Sequence, residues 1–169
     1  AGLTTTALTR LVGIAREAAE RGGAELMRHY GRLASIESKG RVGDLVTNAD
    51  LAAEKVVLDV LADATPDIAV LAEESGAAGE QDGLRWCVDP LDGTTNFAHG
   101  YPFFATSIGL TFRQKPVLGA IAVPFLGEVY WGAPGVGAFC NERAINVSSC
   151  KQLEDSLLVT GFAYDRHTR

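Results

Sequence analysis

The chain has 169 residues, of which 47% are hydrophobic and 21% charged, so it carries enough apolar material for one globular domain or a large part of one. Its net charge of −6 and pI near 5.0 exclude a non-specific binder of nucleic-acid backbones, because such proteins need a basic surface. The 3 cysteines are scattered without CxxC spacing, which argues against a disulfide framework or a zinc site and fits a reducing compartment.

The first predicted element is a long amphipathic helix over about residues 4–30. Leucine, valine and alanine recur there at helical spacing, while Arg16 and Glu17 lie on the other side. The pair Gly22-Gly23 predicts a weak point in this helix, because glycine is a poor helix former. Residues 36–43 are polar and end in glycines, which predicts a strand that runs into a loop.

A second helix is predicted to begin in the run Thr-Asn-Ala-Asp at residues 47–50 and to end before Pro66. Residues 68–72 and 84–88 then form two short apolar runs, each typical of a buried strand. Trp86 of the second run is a predicted core residue.

From Phe103 onwards the sequence alternates in the manner of β-strands. Turns are predicted at residues 115–116, 127, 134–135 and 141–142, and a last strand-like run covers 157–162. Phe103 and Phe104 are predicted core residues and His99 a turn residue. A helix-rich start followed by a run of strands favours an α+β layered fold over a doubly wound one.

The run WCVDPLDGTTNF at residues 86–97 places two carboxylates, Asp89 and Asp92, directly after an apolar strand. Two acids on one turn repel each other but can share a divalent ion, and Mg²⁺ prefers oxygen ligands and often joins protein carboxylates to phosphate. If a helix begins near Thr94, the amides of Gly93 and Thr94 point out of its N-terminus, where phosphate binds well. The segment DPLDG by itself fits an ordinary Asp-Pro turn before a helix equally well.

Two further acidic junctions change that balance. Glu73 and Glu74 follow the apolar run at 68–72, and Asp50 lies at the predicted start of the second helix. Taken singly, the glutamates are typical of a solvated pair, and Asp50 of a favourable charge in a first helical turn. Three acidic junctions at the ends of predicted elements favour a shared cation site.

Several motifs together resemble the inositol monophosphatase family of Mg²⁺-dependent, lithium-sensitive phosphatases. The resemblance implies an αβαβα sandwich and the hydrolysis of small phosphate monoesters, with inositol 1-phosphate as the first candidate substrate. The matching segments are Lys39, GDLVTNAD at 43–50, AEES at 72–75, WCVDPLDGTTNFAHGYPFFATSIGL at 86–110, GAFCNERAINVS at 137–148 and TGFAYDR at 160–166.

The resemblance also implies a set of metal ligands. Glu73, Asp89 and the main-chain carbonyl of Leu91 match the ligands of a first Mg²⁺ ion. Asp89 would bridge to a second ion, which Asp92 would also bind, and Glu73 would reach a third ion through water. Glu74 is expected to lie behind these ligands.

Catalytic and substrate-binding roles follow from the same resemblance. Gly93 and Thr94 match residues that hold the phosphate through backbone amides, and Asp92 is also expected to contact the substrate. Thr94 and Asp50 match the pair that orients the attacking water, so Glu73, Thr94 and Asp50 are the expected catalytic residues. Lys39 matches a loop lysine of the family, although a lone lysine in a polar loop is also typical of a solvated residue.

The chain departs from the family pattern at its end. Family members are longer, and their later part supplies a Trp-Asp motif whose aspartate completes the second metal site. We therefore interpret residues 1–169 as the N-terminal, metal- and phosphate-binding part of a phosphatase that a C-terminal segment would complete. Related phosphatases acting on histidinol phosphate, fructose 1,6-bisphosphate or 3′-phosphoadenosine phosphates are alternatives, as is a non-catalytic fragment that serves assembly.

The remaining expectations concern partners and location. A small phosphate monoester and a second copy of the chain, in a homodimer, are the expected partners, with neither nucleic acid nor membrane among them. The sequence shows no signal-peptide pattern and no apolar run of about 18 residues. We expect a cytoplasmic protein, with an organellar protein that has lost its transit peptide as the alternative.

Overall fold

The structure is a computed structural model that describes residues 3–32, 36–38, 45–78 and 83–160. Its first helix, α1 (Thr5–His29), confirms the helix predicted over residues 4–30. The Thr4 side chain caps it by accepting a hydrogen bond of 3.2 Å from the amide of Ala7. A second helix, α2 (Asn48–Ala64), begins where the sequence predicts, and a short third helix, α3 (Thr94–Ala98), follows the acidic segment.

The strands form a small and a large sheet. Strands β1 (Ile36–Ser38) and β2 (Leu45–Thr47) pair antiparallel with each other. The larger sheet contains β3 (Ala69–Ala72), β4 (Gly76–Ala78), β5 (Leu84–Asp92), β6 (Ala105–Phe112), β7 (Lys115–Val123), β8 (Glu128–Ala133), β9 (Gly137–Cys140) and β10 (Arg143–Ala144). Its order is β10, β9, β8, β7, β6, β5, β3, β4, and among these described strands only β3 and β5 run parallel to each other.

The main core lies between the two long helices and one face of the large sheet. Trp86 stands opposite Leu110 and Val88 opposite Ile108 in the ladder between β5 and β6, and all four side chains are buried in one cluster with α1 and α2. The indole of Trp86 donates a hydrogen bond of 3.0 Å to the hydroxyl of Thr65 at the end of α2. Burial of these apolar side chains is the main force that holds the helices on the sheet.

The glycine pair in α1 is a close-packing point, and the helix continues through it without a break. A Cβ atom on Gly22 would lie only 2.8 Å from a methyl carbon of Val57 and 2.9 Å from one of Thr106. A Cβ atom on Gly23 would lie 3.3 Å from a side-chain carbon of Pro124 and 3.4 Å from that of Ala122. The predicted weak point is therefore wrong, because the absent side chains let α1 approach both α2 and the sheet.

Several local predictions need correction. Strand β5 continues through Pro90 to Asp92, beyond the strand predicted at residues 84–88. The turn expected at residues 115–116 lies at Arg113-Gln114, where both φ angles are positive, at 49° and 63°. Phe104 is 3% exposed and belongs to the core as predicted, whereas Phe103 is 62% exposed. Residues 157–160 form no strand, and the rest of that predicted run lies outside the described residues.

The α+β class is confirmed. The described residues supply one helical layer and one largely antiparallel sheet of the αβαβα sandwich that the resemblance implies. Within the part of the chain that the structure describes, no helix is both long and apolar enough to cross a bilayer.

Candidate active site

The parallel pairing of β3 with β5 brings two of the predicted acids to the same edge of the sheet. Ala72 stands opposite Val88 in this ladder, and the amide of Glu73 donates a hydrogen bond of 3.1 Å to the carbonyl of Val88. Glu73, which follows β3, therefore lies beside Asp89, which follows Val88 in β5. Two acids that are 16 positions apart in sequence become neighbours because both strands point the same way.

Asp89 is the electrostatic centre of this group. Burial, followed by the charge of Glu73, a hydrogen bond with that side chain and the charge of Asp92, raises the pKa of Asp89 from 3.8 to about 7. Glu73 and Asp92 thus lie close enough to oppose the ionisation of Asp89. A bound cation would reverse this effect, because it stabilises the charged form of Asp89.

The acidic end of β5 is irregular, and the irregularity positions Leu91. Asp89 stands opposite Ser107 and Asp92 opposite Ala105, so the register shifts between them. Pro90 lacks an amide hydrogen, and its carbonyl accepts a hydrogen bond of 2.9 Å from the buried hydroxyl of Thr106. The amide of Leu91 donates a hydrogen bond of 3.1 Å to Oδ1 of Asp89, which fixes that carboxylate.

Asp50 links the start of α2 to the start of α3. Its Oδ2 accepts hydrogen bonds from the amide (2.8 Å) and hydroxyl (2.6 Å) of Thr47, which completes a capping box at the N-terminus of α2. Its Oδ1 accepts a hydrogen bond of 3.2 Å from the hydroxyl of Thr94. The side chain is only 1% exposed, and burial raises its pKa, while its hydrogen bonds act in the opposite direction.

The hydroxyl of Thr94 has two acceptors within reach. It lies 3.2 Å from Oδ1 of Asp50 and 3.0 Å from the carbonyl oxygen of Leu91. A hydroxyl carries a single proton and can donate to only one of them at a time. When the proton is on the Asp50 side, the Leu91 carbonyl is available to a cation and the Thr94 oxygen can accept a hydrogen bond from water.

Gly93 provides the sharp turn between β5 and α3. Its φ of 91° lies in the left-handed region that favours glycine, and a Cβ atom there would be 3.1 Å from the carbonyl oxygen of Phe103. The loop after α3 is held by Asn96, whose side-chain amide donates a hydrogen bond of 2.8 Å to that same carbonyl. Glycine therefore fits this turn both by its backbone conformation and by the narrow space beside the Phe103 carbonyl.

Two neighbouring cavities contain the predicted residues. Glu73 and Asp89 line a groove of about 550 Å³ on the sheet, together with Ser107. Asp92 and Gly93 line a smaller cavity of about 170 Å³, with Asn96 and Phe103. Glu73 and Asp89 thus face one opening, whereas Asp92 and Gly93 face the other.

The donor set fits a hard divalent cation. Among the described residues, no group of three or more His, Cys, Asp or Glu side chains is arranged as a ready cage for a metal ion. Mg²⁺ does not need such a cage, because it retains several waters and is usually bound through one or two carboxylates and a phosphate. The paired carboxyl groups of Glu73 and Asp89, the charge of Asp92 and the Leu91 carbonyl offer it oxygen ligands alone.

The geometry joins most, but not all, of the predicted residues. The contacts of Glu73 with Asp89 and of Asp50 with Thr94 agree with the predicted grouping, while their catalytic and ligand roles stay predictions. Lys39 and most of the segment TGFAYDR lie outside the described residues. His99 is an exposed turn residue, as predicted.

Sequence reasoning missed a buried glutamate behind the site. Oε2 of Glu54, on α2, accepts a hydrogen bond of 2.9 Å from the amide of Glu74. The signal was available, because Glu54 follows Asp50 by four positions and so lies on the same face of α2, among buried alanine and valine residues.

Comparison with known proteins identifies the same family as the motifs. Residues 7–169 match the inositol monophosphatase family. The chain is 49% identical over 154 residues to an inositol-1-monophosphatase from Synechocystis, covering 90% of this chain and 54% of that protein. It is 38% identical over 157 residues to a fructose-1,6-bisphosphatase/inositol-1-monophosphatase from Aquifex aeolicus, covering 92% of this chain and 59% of that protein.

A solved structure gives the same result for the fold. The inositol monophosphatase from Anabaena superposes with a TM-score of 0.81 at 45% sequence identity, over 94% of this chain and 57% of that one. The chain thus spans somewhat more than half the length of the relatives that it matches.

Proposed function

The chain belongs to the inositol monophosphatase family, and from this membership we propose that it carries the metal- and phosphate-binding half of a Mg²⁺-dependent phosphatase. The proposed reaction is the hydrolysis of inositol 1-phosphate, or of a related small phosphate monoester, to the free alcohol and phosphate. The observation that supports it best is the coincidence, at one edge of the sheet, of a Glu73–Asp89 carboxyl pair with the Thr94–Asp50 hydrogen bond.

The chemistry explains why such a site needs several acids. A phosphate monoester dianion repels an anionic nucleophile, and bound Mg²⁺ would neutralise the phosphoryl oxygens and make water more acidic. In this proposal Glu73, Asp89 and the Leu91 carbonyl would hold one ion, and Asp89 and Asp92 would hold a second. Glu73 would also contact a third, weaker ion through water.

The other residues position the reacting groups. The amides of Gly93 and Thr94 donate hydrogen bonds to the phosphate, and the positive φ of Gly93 lets the backbone approach it. The hydroxyl of Thr94 donates a hydrogen bond to Asp50. The threonine oxygen can then accept a hydrogen bond from the attacking water. Asp50 is suited to this task because its other oxygen is fixed by Thr47. Asp92 also contacts the substrate at the smaller cavity.

The substrate is the least determined part of the proposal. Inositol 1-phosphate is favoured because a Synechocystis relative at 49% identity is named for it. The Aquifex relative is also named for fructose 1,6-bisphosphate, so that ester is the main alternative. Histidinol phosphate and 3′-phosphoadenosine phosphates follow.

The decisive experiment measures Mg²⁺-dependent phosphate release from a panel of these four esters. We expect the highest kcat/KM with inositol 1-phosphate and inhibition by lithium at about millimolar concentration. An Asp89→Asn variant is the control, because it should abolish release from every ester. Release that persists without divalent metal, or in that variant, would contradict the metal chemistry. A preference for a bisphosphate would change only the substrate.

The proposal includes a segment supplied from outside the described chain. The relatives are longer, and among the described residues the proposal assigns Asp89 and Asp92 alone to the second ion, whose site would then need a further carboxylate. Adding the C-terminal segment of a relative, either fused to this chain or as a separate chain, should increase phosphate release. A homodimer and a cytoplasmic location complete the proposal, and sedimentation of the purified protein tests the first of these.

A further inference from the structure

Glu54 is a buried acid to which the proposed chemistry assigns no task. Its side chain is only 4% exposed, on the face of α2 that packs against the sheet. Oε2 accepts a hydrogen bond of 2.9 Å from the amide of Glu74, 20 residues further along the chain. The contact therefore joins α2 to the segment that leaves β3.

Stability alone does not explain an acid at this place. Burying a carboxyl group costs free energy that its hydrogen bonds repay only in part, and an apolar side chain of similar volume is often as stable or more so. Its helix neighbours Ala53 and Val57 are apolar and fully buried. A glutamate here indicates that the acceptor oxygen itself is required.

We propose that Glu54 is a positioning residue for the metal ligand Glu73, an inference that rests on the proposed function. The two peptide groups that flank the Cα atom of Glu73 are each held by a hydrogen bond. The amide of Glu73 donates to Val88 of the neighbouring strand, and the amide of Glu74 donates to Glu54 of the helix. With both consecutive amides fixed, the backbone that carries the Glu73 side chain has little freedom to turn it away from Asp89.

The test separates the hydrogen bond from the charge of Glu54. Glu54→Gln keeps an acceptor oxygen at the same reach but removes the charge. Glu54→Asp keeps the charge but withdraws the oxygen by one methylene group. Asp59→Asn is the matched control, because Asp59 is an exposed acid on the same helix and pairs with Lys55. Mn²⁺ affinity is measured by titration calorimetry on each folded protein, and hydrogen exchange is measured at the Glu74 amide.

We expect Glu54→Asp to weaken Mn²⁺ binding about 10- to 100-fold, as loss of a group that orients a ligand usually does, and to speed exchange at Glu74. Glu54→Gln and Asp59→Asn should stay within about twofold of the wild type. Rescue by glutamine is a result that a merely structural role for the charge would not give.

Other outcomes would overturn the inference in distinct ways. Unchanged Mn²⁺ affinity in Glu54→Asp with fast exchange at Glu74 would show that the hydrogen bond does not position a ligand. A loss of affinity in Glu54→Gln with wild-type affinity in Glu54→Asp would show that the charge acts instead of the hydrogen bond. If the wild type binds no Mn²⁺ while Glu74 is protected from exchange, the proposed function fails and this inference with it.

Discussion

The paired strands β5 and β6 have apolar side chains at one end and acidic or polar side chains at the other. At one end Leu84 pairs with Phe112, and both line an apolar cavity of about 400 Å³ with Leu8 at the start of α1. At the other end Asp89 pairs with Ser107, and Asp92 follows after a shift in register. The same two strands thus begin and finish in chemically unlike surroundings.

This difference indicates which end the fold needs and which end serves a ligand. At the apolar end, hydrophobic contact of side chains such as the buried Leu8 stabilises the packing of α1 on the sheet. At the acidic end, burial and the neighbouring acids Glu73 and Asp92 raise the pKa of Asp89 to about 7, so its charge is unfavourable in the metal-free protein. An arrangement that opposes its own ionisation is expected where a cation supplies the missing charge.

Replacing Asp89 by asparagine should have the largest effect on metal binding. Asp89 is proposed to contact two ions, so Asp89→Asn should weaken Mn²⁺ binding at least about 100-fold, more than loss of a residue that only orients a ligand. Asp92→Asn should have a smaller effect, because it would disturb chiefly one ion. Titration calorimetry measures the Mn²⁺ affinity of both variants. Equal affinity in Asp89→Asn and wild type would contradict the assignment of metal binding to the acidic end of β5.

Removing the Thr94 hydroxyl should lower turnover while leaving metal binding in place. Thr94→Ala is expected to reduce kcat about 100-fold, with a smaller change in KM, because the hydroxyl is proposed to orient water. Thr94→Ser retains the hydroxyl and is the control, with kcat near that of the wild type. Steady-state phosphate release with Mg²⁺ provides the measurement, and a change confined to KM would assign Thr94 to substrate binding instead.

Lowering the pH should weaken metal binding, because Asp89 becomes protonated. Because the folded pKa of about 7 lies above the unfolded value of 3.8, the metal-free protein holds a proton between about pH 4 and 7 that the unfolded chain has released. Stability of the metal-free protein therefore falls as pH rises through this window. Binding requires the ionised carboxylate, so Mn²⁺ affinity should fall by about tenfold per unit below pH 7.

Denaturant titrations with and without Mn²⁺, from pH 5 to 8, measure both effects. Asp89→Asn should flatten the stability profile of the metal-free protein. An identical profile in wild type and variant would assign the pH dependence to another group.

A change at the apolar end should have the smallest effect on metal binding. Leu8→Ala removes a buried side chain and should lower the free energy of unfolding by about 2–4 kcal/mol. Its Mn²⁺ affinity, measured below the melting temperature, should equal that of the wild type. A loss of affinity comparable to that of Asp92→Asn would show that the two ends are coupled through the sheet.

Local patterns in the sequence predicted the elements that carry the site. The first helix follows from apolar spacing alone, and the start of α2 follows from the capping residues Thr47 and Asp50. The proximity of Asp50 to Thr94, 44 positions away, came only through the family resemblance, because nothing local encodes it. It depends on how α2 and β5 pack together.

The failures arise where tertiary contacts decide the outcome. Phe103 and Phe104 are the same residue type at adjacent positions, yet only Phe104 packs in the core, against Tyr30 and Phe97. Pro90 does not end β5, because a strand tolerates proline where the register shifts. Glu54 is buried on α2, and its hydrogen-bond partner, the amide of Glu74, lies 20 residues further along the chain.

The two carboxylate oxygens of Asp50 make different contacts. Oδ2 helps to cap α2, and Oδ1 accepts a hydrogen bond from Thr94. Under the proposed function, selection for folding and selection for catalysis therefore act on the same side chain. In a lineage that had lost the activity, Thr94 would be free to drift, whereas Asp50 would persist for as long as α2 had to begin at residue 48. An aspartate surviving here beside a changed residue 94 would mark a descendant that still folds but no longer turns over substrate.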